Sequence, residues 1–388
     1  MYPLKIKKIY ARKILNSASE FAIEVTVETE KGIFKSSAPK GTSKGKHEVK
    51  EYVGGIDSAI KNVNTKIKRI IKKQKINNLS DILSFEEKTK KYGGNVTISI
   101  SFSLLKALAA HNNMPVWKLF TKTKRMPMLL NKMIGGGEHA GSRSTTFQEF
   151  LSLQKLKDVK KNMALFKNIG KDWGYYGRDL EGGWVIDVSD EKALKILRDY
   201  DKNNKIGVDI AASTFYKNGR YIYKKMSPMR KNGMIVMPKL SKDSIEQLKF
   251  IEHIREKYNL YIIEDPFQED DFKSFSELTK RIGKNTLIVG DDLFVTNPER
   301  LKKGAKLGAG NACIVKPNQI GSLSKTIEFV KIAKKYKYTP IISHRSGETN
   351  DNILSDLAVG LQIPIMKIGI SGGERVSKIN RLIEIMGE

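Results

Sequence analysis

The sequence predicts an α/β chain in two parts, an N-terminal α+β unit at residues 1–125 and a C-terminal (β/α) barrel at residues 126–388. Three observations lead to this prediction. An alternating apolar pattern near the N-terminus is typical of antiparallel strands. From about residue 127, short apolar runs alternate with amphipathic helical patterns, which indicates a parallel sheet. Charged residues end these runs at a regular interval, as they do at the mouth of a closed barrel.

The N-terminal unit begins with strands at residues 3–38. In the segment FAIEVTVETEKGIFKSSAP, apolar residues from Phe21 to Val27 alternate with small or polar ones, and Glu-Lys-Gly then marks a turn. Helical patterns follow at about 56–75, 79–91 and 97–121. The last of these contains SFSLLKALAAH, whose mostly apolar composition predicts a buried helix.

The barrel is predicted from six clear strands separated by amphipathic helices such as SKDSIEQLKFIEHIREKY and SLSKTIEFVKIAKKYK. So long a run of alternating elements suits a closed barrel better than an open sheet. The predicted strands are KIGVDI (205–210), LYIIED (260–265), TLIVGDD (286–292), ACIVKP (312–317), TPIISHR (339–345) and PIMKIG (364–369).

Composition excludes several classes of protein. Hydrophobic residues make up 40% and charged residues 29% of the chain, as in soluble globular proteins. No apolar run approaches a membrane span of about 20 residues, and MYPLKIKKIY lacks the apolar core of a signal peptide. The single cysteine, Cys313, excludes an internal disulfide framework, and no Cys/His cluster has zinc spacing. We therefore expect a cytoplasmic protein.

The net charge is strongly positive, at +28 from 70 Lys and Arg against 42 Asp and Glu. The lysines are spread along the chain, and the densest segment is KNVNTKIKRIIKKQK (61–75). Its apolar residues Val63, Ile67, Ile70 and Ile71 predict an amphipathic helix with a basic outer face. Because no nucleic-acid-binding module is recognisable, we favour a solvated lysine surface. A polyanion-binding site is the alternative.

Charged or ionisable residues stand at or near the ends of the predicted barrel strands. The sequence spacing between successive residues of this set is about the length of one strand–helix unit, except that the first spacing is about twice as long. Such residues converge at one mouth of a barrel, where active sites lie. They are Asp209, Glu264, Asp291, Lys316, His344 and Lys367.

The three carboxylates of this set would repel one another unless a cation lay between them. Oxygen ligands without cysteine point to a hard ion such as Mg²⁺. Burial and nearby positive charge would lower the pKa of Lys316 and Lys367, which makes a lysine usable as a base. A base beside a divalent metal suits removal of a weakly acidic proton next to a carboxylate. After the seventh strand, Arg345, Ser346 and Gly347 in SHRSGETND suit a phosphate or carboxylate.

Together these segments resemble the enolase family, the Mg²⁺-dependent phosphopyruvate hydratases of glycolysis, over nearly the whole chain. The motifs that carry the resemblance are GDDLFVTNP, VKPNQIGSLS, SHRSGET, IEDPFQEDDF, VDIAASTFY, GGEHAG and QEF. The resemblance implies a TIM-type (β/α)8 barrel with an N-terminal capping domain. It also implies a homodimer and a small phosphorylated hydroxy acid as substrate.

The resemblance further implies roles for individual residues. Lys316 would be the base that takes the C2 proton of 2-phosphoglycerate, and Glu181 would be the acid that helps the C3 hydroxyl leave. Crowded carboxylates would raise the pKa of Glu181. Metal ligands would be Asp209, Glu264 and Asp291 for one Mg²⁺, and Ser43 in the mobile loop KGTSKG for a second. Glu149 and His344 would be further catalytic residues of the pocket. Substrate contacts would be His139, Gln148, Arg345, Ser346 and Lys367.

The sequence departs from the family pattern near the acid. The family has Asp-Glu-Gly-Gly, whereas this chain reads GRDLEGG, so either Leu180 replaces the aspartate or one inserted residue displaces Asp179. The mobile loop carries Lys40 and Lys44 at changed positions. Three functions stay open: enolase, a related lyase or isomerase acting on another anionic carboxylic acid, and a non-catalytic basic protein that binds nucleic acid or an acidic partner.

Overall fold

The computed structural model describes residues 3–42, 45–174, 176–225, 229–231, 234–236 and 240–388, the two short ranges 229–231 and 234–236 by backbone alone. Ser43, expected to bind a second Mg²⁺, lies outside the described residues. Among the described helices, none is long and apolar enough to cross a membrane.

The N-terminal strands form the expected antiparallel sheet, in the order β1 (Ile6–Leu15), β2 (Phe21–Thr29) and β3 (Gly32–Ser37). Ile23, Val25 and Val27 are fully buried, as their alternation predicts. Phe21 opens β2 and is exposed. One face of the sheet therefore packs on the N-terminal helices.

The first N-terminal helix runs as α1 (Gly55–Asn62), a π-helical segment (Val63–Ile67) and α2 (Lys68–Ile71). Val63, Ile67 and Ile71 are buried along one face, which confirms the amphipathic helix. The next helices are α3 (Leu79–Thr89) with a 3-10 turn (Lys90–Tyr92), and the buried α4 (Gly94–His111).

Helix α4 ends ten residues before the boundary that the sequence predicts, at His111 rather than 121. Asn113 adopts a left-handed conformation with φ 53°, and Pro115 follows. Proline disfavours helical geometry in the residue before it, so the helix cannot continue. A separate 3-10 turn, Val116–Leu119, then leads into the barrel.

Eight strands form the closed barrel, and pairing of the last strand with the first completes it. The barrel strands are β4 (Met128–Gly135), β5 (Glu149–Lys155), β7 (Lys205–Asp209), β13 (Leu260–Glu264), β14 (Leu287–Gly290), β15 (Ala312–Val315), β16 (Thr339–Ser343) and β17 (Ile365–Gly369). Around them lie α5 (Val159–Trp173), α6 (Asp190–Tyr200), α7 (Ser244–Tyr258), α8 (Phe272–Ile282), α9 (Pro298–Leu307), α10 (Pro317–Ile320), α11 (Leu323–Lys335), α12 (Ile353–Gly360) and α13 (Gly373–Gly387).

The barrel is not wholly parallel, because β5 runs antiparallel to both β4 and β7. A parallel return requires a crossover connection, usually a helix. Residues 136–148 between β4 and β5 hold only a 3-10 turn, Gly137–His139. The start of β5 therefore lies at the same end of the barrel as the carboxyl ends of its neighbours.

In its described residues, the long interval between Asp209 and Glu264 holds short strands and helix α7 rather than another barrel strand. Asp209 and Glu264 are register partners on the neighbouring strands β7 and β13. The short strands outside the barrel are β6 (Trp184–Val185), β8 (Tyr216–Lys217), β9 (Arg220–Ile222), β10 (Met229–Lys231), β11 (Met234–Val236) and β12 (Ser241–Lys242).

Candidate active site

The barrel interior carries a polar layer directly above an apolar one. Side chains two positions apart on a strand face the same side of the sheet. The residue two positions nearer the mouth than each inward-facing apolar residue therefore also faces the barrel interior. The apolar layer contains Leu130, Leu151, Ile262, Val289, Ile314, Ile341 and Ile365. The layer above it contains Lys132, Glu149, Glu264, Asp291, Lys316, Ser343 and Lys367.

Lys367 is the central cation of this polar layer. Its Nζ donates to Asp209 Oδ2 at 2.9 Å and to both carboxylate oxygens of Glu264 at 2.8 Å. Glu149 Oε2 lies 3.3 Å away. Burial alone would lower the pKa of Lys367, but these carboxylates hold it well above the ordinary value. The expectation of a neutral amine is therefore wrong for Lys367 in this arrangement.

Lys316 follows β15 and contacts the carboxylate of Asp291. Gln319 Nε2 donates to the other oxygen of that carboxylate at 3.0 Å. Burial is the largest single effect and lowers the pKa of Lys316, but neighbouring carboxylates, led by Asp291, together raise the pKa above its ordinary value. The positive charges of Arg345 and Lys367 lower the pKa of Lys316, as expected. The expected depressed pKa is wrong because the sequence does not show which carboxylate the amine touches.

Glu149 and Glu181 form a coupled pair of buried carboxyl groups. Burial, reinforced by the charge of Glu181, raises the pKa of Glu149 well above its usual range. Burial also acts on Glu181, but the neighbouring His139, Lys132 and His344 hold its pKa well below that range. The expected raised pKa of Glu181 is therefore wrong. The two groups therefore share one proton and one negative charge.

Lys132 is a buried cation beside this pair that the sequence analysis missed. Its Nζ lies 3.2 Å from Glu181 Oε2 and 3.8 Å from Glu149 Oε1. It also lies 3.1 Å from His139 Nδ1. The same anomaly that identified Lys316, a lysine in an apolar strand, is present in MLLNKMIG and could have identified Lys132.

Asp179 takes the inward position next to Glu181, and Leu180 points outward. The carboxylate of Asp179 lies 2.6 Å from Lys132 Nζ, with both side chains 0% exposed. It also accepts from the backbone N–H of Glu181 at 3.0 Å and of Gly183 at 2.9 Å. Leu180 is 36% exposed. Of the two alternatives, the geometry favours the inserted residue over replacement of the aspartate by leucine.

His344 lies opposite His139 across Glu181. Its Nε2 is 3.6 Å from Glu181 Oε2, the same separation as His139 Nδ1 from that oxygen. Arg375, a fully buried residue of α13, donates from Nε to His344 Nδ1 at 3.2 Å. Arg375 lies outside every predicted motif, and only its burial in the structure identifies it.

Arg345 and Ser346 contact the segment that precedes the N-terminal helices. Arg345 donates from Nη1 and Nη2 to the two carboxylate oxygens of Glu48, each at 3.0 Å. Ser346 Oγ accepts from the backbone N–H and the hydroxyl of Thr42 at 2.8 Å. A Cβ on Gly41 would overlap the Arg345 guanidinium, so glycine permits this close approach. Glu48 was not among the predicted site residues.

Among the residues that the structure describes, two groups of side chains have ligand atoms close enough together to hold a metal ion. One is His139, Glu149 and Glu181, and the other is Asp265, Asp291 and Asp292. The predicted metal ligands Asp209, Glu264 and Asp291 match neither group. They are nevertheless close enough to interact, because the pKa of Glu264 is raised first by burial and then by the charges of Asp209 and Asp291. An all-oxygen set suits Mg²⁺. Two carboxylates of this triad already hold a cationic group, Lys367, which shows that the position favours positive charge.

Most predicted site residues meet around one small cavity at the barrel mouth. Glu264 lies beneath it, bonded to Lys367, and Ser43 is outside the described residues. The predicted residues that line the cavity are His139, Gln148, Glu149, Glu181, Asp209, Asp291, Lys316, His344, Arg345, Ser346 and Lys367.

Comparison with known proteins gives matches over nearly the whole chain. A model of the enolase N-terminal domain matches residues 6–120, and a model of the enolase C-terminal TIM barrel domain matches residues 123–388. The enolase of Methanothermobacter thermautotrophicus is 36% identical over 99% of this chain and 96% of its own length. The enolase of Picrophilus torridus is 35% identical over 99% of both. The chain therefore belongs to the enolase family.

Proposed function

We propose that the chain is a lyase, a phosphopyruvate hydratase that reversibly dehydrates 2-phosphoglycerate to phosphoenolpyruvate. One observation carries this proposal. A lysine, Lys316, and a carboxyl pair that holds a proton, Glu149 and Glu181, line the same small cavity. Elimination of water from a hydroxy acid needs both functions, one group to remove the C2 proton and another to protonate the departing C3 hydroxyl.

In this proposal Lys316 removes the proton from C2, which requires a neutral amine. Mg²⁺ bound at Asp291 would offset the negative charge that now raises the pKa of Lys316. The strand β15 aims its amine into the mouth, and Asp291 fixes its position. The Glu149–Glu181 pair supplies a proton to the departing hydroxyl, and both carboxyls are buried away from bulk water. Because the two groups titrate together, the proton belongs to the pair rather than to one residue.

We assign a Mg²⁺ ion to Asp209, Glu264 and Asp291, and a second ion to a site that includes Ser43. Bound there, Mg²⁺ would stabilise the negative charge that develops on the substrate carboxylate after C2 loses its proton. The buried carboxylates of neighbouring strands, with Lys367 among them, support the first assignment. The second rests on the family resemblance of the loop KGTSKG.

The remaining predicted residues would hold the substrate. Arg345 and Ser346 suit its phosphate, since a guanidinium fork and a hydroxyl match phosphate oxygens. Glu48 now occupies that fork, so a bound phosphate would have to share or displace it. Lys367 suits the substrate carboxylate, and His139 and Gln148 would complete the pocket wall.

The direct test is turnover of 2-phosphoglycerate with Mg²⁺, followed by the absorbance of phosphoenolpyruvate. Lys316→Ala and Glu181→Gln should each lower turnover by roughly 10²–10⁴-fold. Lys325→Ala, at an exposed helical lysine, is the matched control and should leave turnover unchanged. Absence of turnover in the folded wild-type protein would instead favour a related lyase or isomerase acting on another anionic carboxylic acid.

A second candidate function, polyanion binding, rests on the segment 61–75. This segment carries seven cationic residues and no acidic one, and among the described residues none of them forms an ion pair. Binding of RNA or DNA that persists near 0.15 M salt would support it, and loss of binding there would leave the charge as a solvated surface.

We also propose a domain division at residues 125/126, a cytoplasmic location and a homodimer. The two family matches meet at residues 121–122, within a few residues of this division. Leu15 and Phe21, register partners on the N-terminal sheet, are 65% and 55% exposed, which suits a protein contact. Sedimentation of the wild type and of Phe21→Ser tests the dimer, which the variant should weaken.

A further inference from the structure

The hydrogen bond between Lys132 and His139 determines where the imidazole proton lies. Lys132 Nζ is 3.1 Å from His139 Nδ1. A lysine ammonium has three donors and no acceptor, so a proton on Nδ1 would face a proton on Nζ. His139 Nδ1 must therefore accept, and a neutral imidazole then carries its proton on Nε2.

His344 is held in the same way by a different cation. Arg375 Nε donates to His344 Nδ1 at 3.2 Å, and a guanidinium likewise has donors only. The Nε2 atom of His344 is buried and has no hydrogen-bond partner among the described residues. It lies 3.6 Å from Glu181 Oε2, so its proton faces the acid of the proposed reaction.

We propose that Lys132 and Arg375 are positioning residues that fix both site histidines, His139 and His344, as neutral Nε2–H tautomers. The site then presents one imidazole donor beside Glu181, the Nε2–H of His344, whereas His139 turns its accepting Nδ1 toward Lys132 and Glu181. The catalytic meaning of this arrangement rests on the proposed function, whereas the tautomers themselves do not.

Each cation is fixed by several contacts besides its histidine. Lys132 has carboxylate partners in Asp179 and Glu181, which compensate its buried charge. Arg375 donates from Nη2 to the carbonyl oxygens of Leu180 at 2.9 Å and Ser346 at 3.1 Å. Arg375 therefore ties the loop of the acid to the loop of the predicted phosphate site.

The surroundings also keep the two imidazoles uncharged. Burial, assisted by Lys132, lowers the pKa of His139 to about 3 despite the opposing charge of Glu181. Burial and then Arg375 lower the pKa of His344, again against Glu181. At neutral pH each ring therefore has one proton, and the cation on Nδ1 decides its place.

The first experiment is nitrogen NMR of the full-length wild-type protein with ¹⁵N-labelled histidine rings at neutral pH. The chain has 5 histidines, and loss of one signal set in His139→Gln or His344→Gln assigns the two of interest. We expect both to show an unprotonated Nδ1 and a protonated Nε2. A protonated Nδ1 in either histidine would overturn the proposal for that residue, without any variant of Lys132 or Arg375 having to fold.

The second experiment removes each cation. Lys132→Met should move the His139 signals away from the pure Nε2–H pattern and leave those of His344, and Arg375→Met should do the reverse. Lys378→Met is the matched control, because Lys378 is equally buried but bonds to the carbonyls of Thr349 and Glu374. It should leave both histidines unchanged, and a change there equal to that in Lys132→Met would contradict the proposal.

A double variant separates hydrogen bonding from charge balance. Lys132→Met with Asp179→Asn removes both members of one ion pair, so the net charge of the cluster is kept. We expect the altered His139 signals to persist, because the donor to Nδ1 is still missing. Full recovery of the wild-type signals would show that Lys132 acts only as a counter-charge. If both histidines show the expected tautomer but the protein does not turn over 2-phosphoglycerate, the proposed function is refuted and the tautomer assignment stands.

Discussion

The ammonium group of Lys132 lies 2.6 Å from the carboxylate of Asp179 inside the barrel mouth, where neither side chain is exposed. Space for this ion pair exists because residue 135, at the end of β4, is glycine. A Cβ on Gly135 would overlap the Asp179 carboxylate and crowd the Lys132 side chain. The pair, the glycine and the inserted residue before Glu181 therefore depend on one another.

Gly135→Ala should expel the Asp179 carboxylate from its position. Overfilling a packed interior costs about 1–3 kcal/mol, and we expect a loss of unfolding free energy in that range. Turnover should fall as well, because Asp179 accepts from the backbone N–H of Glu181. Denaturant unfolding and the 2-phosphoglycerate assay measure the two effects. Gly373→Ala, where a Cβ meets open space, is the control and should change neither.

Asp179→Ala and Leu180→Ala distinguish the two interpretations of GRDLEGG by activity. Because Asp179 holds the backbone of Glu181, its loss should lower turnover on the order of 10²-fold, as misplacement of a catalytic group does. Leu180 is partly exposed, and Leu180→Ala should change turnover only slightly. The opposite ranking of the two variants in steady-state kinetics would show that residue 180 has taken over the role of the aspartate.

The strands of the barrel and the residues at their ends could be predicted because both depend on local pattern. An apolar run such as ACIV has to be buried, and the residue two positions beyond Ile314 has to face the barrel mouth. This rule explains why Lys316 and Asp291 were found. It applies equally to Lys132, which follows Leu130 by two positions, so that residue was predictable although it was missed.

The remaining features depend on contacts between distant parts of the chain. The antiparallel course of β5 depends on the absence of a crossover helix, and the direction of each pKa shift depends on which charged groups touch. Lys316 was expected to lose its proton beside other cations, yet its nearest partner is Asp291. Arg375 contacts His344 across 31 positions of sequence, and no local pattern indicates such a contact.

Asp190→Asn should change how stability depends on pH. Burial raises the pKa of Asp190 to about 7, although the backbone N–H groups of Thr146 and Phe147 donate to its Oδ1. The folded protein thus keeps a proton that the unfolded chain releases near pH 4. Wild-type stability should therefore fall as pH rises from about 4 to 7, by up to about 4 kcal/mol from this group.

Asn keeps the acceptor oxygen and cannot ionise, so the variant should lack this fall. Urea unfolding at several pH values measures the difference between the two proteins. Asp158→Asn is a control of opposite sign, because a hydrogen bond from Lys161 lowers the pKa of exposed Asp158. Its favourable contribution is present above the unfolded pKa and is lost as pH falls. Parallel pH profiles for wild type and Asp190→Asn would contradict the assignment.

Added Mg²⁺ should raise the midpoint of thermal unfolding, since a ligand that binds only the folded state stabilises it by about 2.7 kcal/mol at 100 times its Kd. Glu264→Gln should reduce this shift because it removes a carboxylate of the proposed site. Glu277→Gln, at an exposed carboxylate paired with Arg281, is the matched control and should keep the whole shift. An undiminished shift in Glu264→Gln would place the ion elsewhere.

Lys367→Met should bind Mg²⁺ more tightly than the wild type while losing turnover. The Lys367 ammonium bonds to Asp209 and Glu264, so it competes with a cation for the same oxygens and repels it. Removing it leaves those carboxylates without a counter-charge, which a divalent ion can supply. Loss of turnover follows if Lys367 holds the substrate carboxylate. Calorimetric titration measures the affinity, and weaker binding by the variant would show that Lys367 orients the carboxylates for the metal instead of competing with it.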